Sequence, residues 1–343
     1  MIVAMNVDAS AEEVQQVVDK IESYDLKALN MPGGERTAIG IASAIPPELR
    51  YTLSSLLEAM PGVDKVTHVS RIYKLTSREF QSVDTVFEVK DVVFGSKKVV
   101  VIAGPCAIES KEQLFKAAEA VRNAGGKVLR GGAFKPRSSP YSFQGLGLEG
   151  LKLLKEAGEK YGLVTVTEVM DHHDLDMVAE YADIIQIGAR NMQNFPLLVA
   201  CGKKNHPVLL KRGSAAVIDE WLLAAEYILA QGNTRVILCE RGVHPLDKVY
   251  TRYTLDISAV PVAKHLSHLP VIVDPSHAAG SWHYVIPLST AAIAAGADGL
   301  IVEIHPNPSE ALCDGHQALN LDSYRELMAK ISAIADAVGR SMA

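Results

Sequence analysis

Arg130, Lys135 and Arg137 fall within eight residues of one another in VLRGGAFKPRSSPYSFQG, residues 128–145, a stretch with glycines, serines and prolines and no acid. Glycine lets backbone N–H groups approach an anion, arginine offers a planar fork to phosphate, and lysine adds a point charge. The stretch reads as an anion cradle; a solvated basic loop is the plainer reading of these residues alone. A second set is Cys106, His277, Glu303 and Asp314. A thiolate, an imidazole and two carboxylates suit a transition-metal dication better than magnesium or calcium. The four are far apart in the chain and form no compact motif. Taken singly, Cys106 reads as a core cysteine and His277 as a satisfied histidine.

Both sets gain meaning from the elements that must carry them. Eight apolar runs recur: VVVIAGPC (99–106), VLRGGAF (128–134), VTVTEV (164–169), DIIQIGA (183–189), PVLLKR (207–212), RVILCERG (235–242), PVIVDPSH (270–277) and GLIVEIHP (299–306). Between them lie segments such as KEQLFKAAEAVRNAG, with helix formers at helical spacing and a closing glycine. Eight such units over residues 99–343 predict a (β/α)8 barrel, with a doubly wound sheet as the alternative. A polar residue stands near each strand end: Cys106, Arg130, Glu168, Arg190, Lys211, Arg241, His277 and Glu303. Parallel barrel strands end on one face, so these residues converge. Arg130, Lys135, Arg137, Arg190, Lys211, Arg212 and Arg241 are all expected at that mouth. Seven like charges repel unless anions are bound among them, which calls for phosphorylated substrates.

Ahead of the barrel, residues 1–75 read as a small α+β unit. A strand at Met1–Val7 precedes a helix capped by Ser10; strands at Leu26–Met31 and Arg36–Ile41 flank a turn at Pro32-Gly33-Gly34; a helix at Glu48–Met60 leads to a strand at Val66–Tyr73. The order βαββαβ is ferredoxin-like. Such sheets serve as amino-acid-sensing regulatory modules or as packing domains, and the fold alone does not choose. Residues 76–98 form a linker with short strands at Val86-Phe87 and Val92–Phe94.

Composition narrows the partners. The chain has 343 residues, 48% hydrophobic and 22% charged, which is ordinary globular material. Lys plus Arg is 34 against 40 Asp plus Glu, a net charge of −6, which argues against nucleic acid. No apolar run is long enough to span a bilayer, and the first residues lack a signal-peptide pattern. Cys106, Cys201, Cys239 and Cys313 show no paired spacing, which fits a reduced, cytoplasmic protein.

The motifs AGPCAIES, LRGGAFKPRSSPYSFQG, TEVMD, QIGARNMQNF, LLKRG, CERG, TRYTLDISAVP, VDPSHAAG, ADGLIVEIHP and ALCDG span residues 103–315. Together they resemble 3-deoxy-D-arabino-heptulosonate-7-phosphate (DAHP) synthases of the type with a barrel and a short ferredoxin-like N-terminal domain. The resemblance implies condensation of phosphoenolpyruvate with erythrose 4-phosphate, the first step of the shikimate route, under feedback by an aromatic amino acid. It implies one divalent transition metal (manganese, iron, cobalt or zinc) on Cys106, His277, Glu303 and Asp314. Phosphoenolpyruvate is expected against Arg130, Lys135, Glu168, Ala189, Arg190, Lys211 and Arg241, with Asp274 added to the substrate set. The erythrose 4-phosphate phosphate is expected at Arg137 and Ser138. Lys135, Glu168, Cys106 and His277 make the catalytic set, with Lys135 as the acid toward the aldehyde oxygen. Tyrosine or phenylalanine is the expected effector at the small domain, and a homotetramer the expected assembly.

The chain departs from the family pattern twice. His244-Pro245 stands where many relatives carry an Arg-Thr pair after Glu240-Arg241-Gly242, and Cys313 stands before Asp314 where serine is common. Cys313 is then either an oxidisable partner of Cys106 or an inert neighbour. The competing functions are a 3-deoxy-manno-octulosonate-8-phosphate synthase and an inactive barrel that senses amino acids for another enzyme. KPRSS favours the first reading over the sister enzyme, which has Ala-Asn before the arginine.

Overall fold

The structure is a computed structural model that describes the whole chain except residues 33–36, 42, 44, 68–71 and 138. Ile2–Met5 (β1), Ala28–Pro32 (β2), Thr37–Ile41 (β3) and Val63–Thr67 (β4) form an antiparallel sheet in the order β2-β3-β1-β4. Ala11–Glu22 (α1) and Pro47–Glu58 (α2) lie between them in sequence, giving the βαββαβ order expected. Ser10 caps α1 by accepting from the Glu13 amide, while the Glu13 carboxylate accepts from the Ser10 amide. Val17 and Ile21 of α1 and Leu53 and Leu57 of α2 pack on Val3, Met5 and Ile39 of the sheet. The last strand begins earlier than its sequence suggests, at Val63. The stretch 68–71 and most of the turn after Pro32 lie outside the described residues.

Phe87–Val89 (β5) and Val92–Phe94 (β6) form a hairpin. The eight apolar runs then appear as parallel strands: Lys98–Gly104 (β7), Val128–Arg130 (β8), Val164–Val169 (β9), Ile184–Ile187 (β10), Val208–Lys211 (β11), Val236–Glu240 (β12), Val271–Val273 (β13) and Gly299–Glu303 (β14). Each pairs with the next, and β14 pairs with β7, so the sheet closes into a barrel. Lys111–Asn123 (α3), Leu148–Tyr161 (α4), Leu175–Tyr181 (α5), Phe195–Lys204 (α6), Ile218–Leu229 (α7) and Ala259–Leu266 (α8) follow the first six strands. Pro275–Ala279 (α9) and Trp282–Ala294 (α10) follow β13, and Leu321–Ala337 (α11) follows β14. The sequence reading does not foresee Ser341–Met342 (β15), which returns beside β7.

Period-two alternation sorts every barrel strand. Val99, Val101 and Ala103 of β7 pack outward against the helices. Val100 and Ile102 point inward, with Val128, Val166, Ile184, Leu209, Ile237, Ile272 and Ile301. Val92 and Phe94 of the hairpin join this interior cluster.

The small sheet lays its other face on the junction. Ile2 clusters with Tyr73, Leu75 and Phe80 in the core outside the barrel strands. A Cβ on Gly40 would fall 2.4 Å from the Phe80 ring, so only glycine fits there. Glu226 of α7 accepts hydrogen bonds from the backbone amides of Lys74, Leu75 and Thr76 at 2.7–3.1 Å. His268, just before β13, places Nε2 2.7 Å from the Leu75 carbonyl and Nδ1 2.6 Å from the Thr85 hydroxyl. A carbonyl only accepts, so Nε2 carries a proton and donates to Leu75.

Burial lowers the His268 pKa from 6.5 to about 4. The unfolded chain therefore takes up a proton near pH 6.5, where the folded chain does not until near 4. Stability contributed by this group is full above pH 6.5 and is lost as pH falls toward 4. His268→Gln should show a flatter fall in urea-unfolding stability across that window than the unsubstituted chain. Identical pH slopes would refute the assignment.

Candidate active site

The alternation that makes the barrel interior apolar also builds its polar ceiling. Two residues beyond Val128, Val166, Ile184, Leu209, Cys239, Ile272 and Ile301 stand Arg130, Glu168, Gln186, Lys211, Arg241, Asp274 and Glu303. They share the inward face of their strands at the C-terminal end. Arg130 Nη1 lies 2.6 Å from Glu303 Oε1, and Lys211 Nζ lies 2.5 Å from Asp274 Oδ2. All four side chains are buried. Burial works against the Arg130 charge, but Glu303 outweighs it and raises the pKa further. Burial likewise pushes Glu303 and Asp274 up, and is overcome for both by His277 and the neighbouring cation, so both carboxyls stay below the usual range.

This corrects the expectation of seven uncompensated cations. Arg130 and Lys211 are spent on internal carboxylates. Arg212 points away from the mouth, where Nη1 meets Glu240 and Asp256, each at 2.9 Å.

Above this layer opens a cavity of about 370 Å³. Lys135, Arg137, Arg190 and Arg241 line it as expected, with Arg252 as a further cation that the sequence reading did not assign. Lys135 Nζ donates to the Cys106 carbonyl at 3.0 Å, and Arg190 Nη1 donates to the Pro136 carbonyl at 2.8 Å. Neither meets a carboxylate in these contacts. Glu168 lines the same cavity and accepts from Gln186 at 2.9 Å. A Cβ on Gly188 would sit 2.1 Å from Glu168 Oε1, so glycine there gives the carboxylate its room. Ala189, Ser139 and Ser142 are on the lining, and Ser138 lies outside the described residues.

His244 does not reach the lining. It faces Ser214 at 3.5 Å and the Tyr253 ring. The loop returns through a bridge between Val243 and Thr254, which brings Arg252 and Tyr253 to the mouth. Arg241 stacks over Tyr253 at 4.3 Å. Arg252 and Tyr253 both belong to TRYTLD, away from any strand end, so the strand-end pattern could not single them out.

Cys106, His277, Glu303 and Asp314 come together: one ligand atom from each lies within 4.8 Å of all the others. His277 Nε2 is 3.3 Å from Glu303 Oε1, and Cys106 Sγ is 3.6 Å from Asp314 Oδ2. Burial holds the His277 imidazole below its usual value, against the pull of Asp274 and Glu303. Its Nδ1 is buried and lies 2.7 Å from Asp274 Oδ2 but without a hydrogen bond. A thiol, an imidazole and two carboxylates at such spacing fit a divalent transition ion once the thiol gives up its proton. Cys313 joins this cluster, with its Sγ 3.3 Å from Cys106 Sγ and 2.6 Å from Arg137 Nη1. A hydrogen bond to Cys313 and burial raise the Cys106 pKa, while that bond lowers the Cys313 pKa. Both are free thiols.

Residues 74–338 match the DAHP synthetase I family, and residues 1–71 match the DAHP synthase ferredoxin-like domain. A phospho-2-dehydro-3-deoxyheptonate aldolase of Thermotoga maritima is 52% identical over 339 residues, covering 99% of each chain. A 2-dehydro-3-deoxyphosphooctonate aldolase of Syntrophobacter fumaroxidans is 31% identical over 263 residues, 71% of this chain and 90% of the relative. A crystal structure of the Thermotoga maritima DAHP synthase superposes with a TM-score of 0.79 at 50% identity, over 100% of this chain and 99% of that one.

The paired ceiling carries a stability prediction. Arg130→Met leaves Glu303 buried without its closest cation, and breaking such a pair costs about 3–5 kcal/mol. Urea unfolding in the presence of a chelator should show that loss, whereas a change under about 1 kcal/mol would mean the pair is not holding the site together.

Proposed function

The chain belongs to the DAHP synthetase I family and has DAHP synthase activity, and from that premise we propose how its own residues carry out the reaction. The substrates are phosphoenolpyruvate and erythrose 4-phosphate. The observation that carries this reading is a mouth where Lys135, Arg137, Arg190 and Arg241 show no carboxylate partner among the described residues, beside a layer where Arg130 and Lys211 do. Arg190 and Arg241 hold the phosphate of phosphoenolpyruvate, with the Ala189 backbone beside them. Arg130 and Lys211 act from below, already oriented by Glu303 and Asp274. Arg137 and Ser138 take the aldose phosphate. The two phosphates fix the enol carbon and the aldehyde carbon in one geometry, which removes much of the association entropy from the barrier.

Cys106, His277, Glu303 and Asp314 would hold one manganese, iron, cobalt or zinc ion, which supplies a Lewis acid for the aldehyde oxygen. Lys135, tethered at the Cys106 carbonyl, donates the proton that oxygen takes up as the enol carbon attacks. Water then adds to the second carbon of phosphoenolpyruvate, and phosphate leaves by C–O cleavage. Glu168 stands at the same wall, oriented by Gln186, as the acid–base group for that second half. Asp274 acts by orienting Lys211 and His277.

Pro136 sets the length of aldose the site accepts. It fixes its own φ and restricts Lys135, so the span from the cation cluster to Arg137 is stiff. Arabinose 5-phosphate has one more carbon between aldehyde and phosphate, and a misplacement of about 1 Å costs about a hundredfold in rate. Phosphate release should therefore show a kcat/KM for erythrose 4-phosphate at least tenfold above that for arabinose 5-phosphate. Chelation should abolish it, and Arg137→Ala should raise the KM for the aldose far more than that for phosphoenolpyruvate. Equal efficiency with both sugars would move the chain to octulosonate chemistry.

The ferredoxin-like domain is the sensor of this reading. Tyrosine or phenylalanine binds it within a cytoplasmic homotetramer and slows the entry step of aromatic synthesis. Its seat on Phe80 and the Glu226 clamp on residues 74–76 support mechanical coupling to the barrel. A chain lacking residues 1–71 should remain active and ignore both amino acids in the same assay. Undiminished inhibition would place the sensor elsewhere.

A further inference from the structure

Asp314 reaches the cation cluster from a loop, whereas Glu303 is fixed at the end of β14. The two carboxylates are linked through Gln317 and Arg252. Gln317 is fully buried, and its Nε2 donates to Glu303 Oε2 at 2.7 Å. Its Oε1 accepts from Arg252 Nη1 at 3.4 Å, and the same Nη1 lies 3.5 Å from Asp314 Oδ2. Glu303 Oε1 is already taken by Arg130. Gln317 therefore fixes the rotation of the Glu303 carboxylate from one side and, through Arg252, the position of Asp314 from the other.

The backbone of the loop agrees with this role. His305 N–H donates to the Leu319 carbonyl and Leu319 N–H to the Glu303 carbonyl, each at 2.9 Å, which closes the base of the loop. The Gln317 amide donates to the Asp314 carbonyl at 3.1 Å. Asp314 itself sits at φ 51°, a left-handed conformation that a non-glycine residue adopts only when its surroundings hold it there. On the far side Glu109 accepts the Leu312 amide at 2.8 Å and faces His305 Nε2 at 3.3 Å. The loop is thus fastened outside by Glu109 and inside by Gln317.

We infer that Gln317 is a positioning residue of the cation site: its amide ties Glu303 to the loop that carries Asp314 and so sets how tightly the chain holds a divalent ion. This rests on the reading of the four ligands above. Partners behind a ligand typically change metal affinity by about 10–100-fold when removed. Gln317→Met keeps the volume and removes both polar contacts.

The test is the dissociation constant for Mn²⁺ in the full-length chain, measured by competition with a chelator. A second readout is the Co²⁺–thiolate absorption that reports Cys106 bound to the ion. Gln317→Met should bind Mn²⁺ about 10–100-fold more weakly and need correspondingly more Co²⁺ to develop the thiolate band. Glu109→Ala, which frees Leu312 without touching Glu303, should shift both in the same direction. If Gln317→Met does not fold, Gln317→Asn and Glu109→Ala decide the matter by the same titrations. Affinities within twofold of the unsubstituted chain in the folded variants overturn the inference. An unsubstituted chain that binds neither ion overturns the reading of the four ligands, and this inference with it.

Discussion

Two buried ion pairs, Arg130–Glu303 and Lys211–Asp274, are the constraint on which the rest of the site depends. Taking four charges out of water costs several kcal/mol per ion, and only close pairing with further hydrogen bonds offsets it. Here most of that hydrogen bonding is present, although Arg130 Nε is buried without a partner. Glu303 also accepts from Gln317, and Asp274 accepts from the His277 amide. The result is a rigid charged layer directly over the apolar interior of the barrel. It lets further cations crowd the mouth, because the layer below them adds little net charge. Arg190, Arg241, Arg137 and Lys135 are then left lining the cavity with no carboxylate contact among the described residues. The same layer orients His277 and Glu303 toward Cys106 and Asp314.

Much of this was legible in the sequence, because β-strands impose a period of two. Once Val128, Leu209 and Ile301 are interior, Arg130, Lys211 and Glu303 must be too. The same alternation also separates Lys211 from Arg212. If Lys211 points inward, Arg212 cannot, and the structure finds it paired with Glu240 and Asp256. The pairings themselves were not legible. Arg130 on β8 meets Glu303 on β14 over the intervening β7, and Lys211 on β11 meets Asp274 after β13 over β12, and nothing local in either segment names its partner. The sequence reading therefore counted each cation as free for a ligand.

Residues on irregular segments were harder still. Arg252 and Tyr253 enter the mouth only because Val243 pairs with Thr254 and folds the loop back. Gln317 follows Asp314 of the four-residue cluster, but its contacts come from where a buried amide happens to point. Loops carry no period, so type and spacing gave no warning. The small domain shows the opposite case. Its capped helix and its strand order followed from pattern alone, whereas its seat on the barrel depends on the absence of a side chain at Gly40 against Phe80.

On the reading proposed above, the two buried pairs hold the site while Lys135, Arg137, Arg190 and Arg241 hold the ligand. A crystal structure with Mn²⁺ and phosphoenolpyruvate bound tests it most directly. The account expects the ligand's phosphate between Arg190 and Arg241, the ion among Cys106, His277, Glu303 and Asp314, and both buried pairs intact. A phosphate held by Arg212, or an Arg130–Glu303 pair that has opened to receive the ligand, would contradict it.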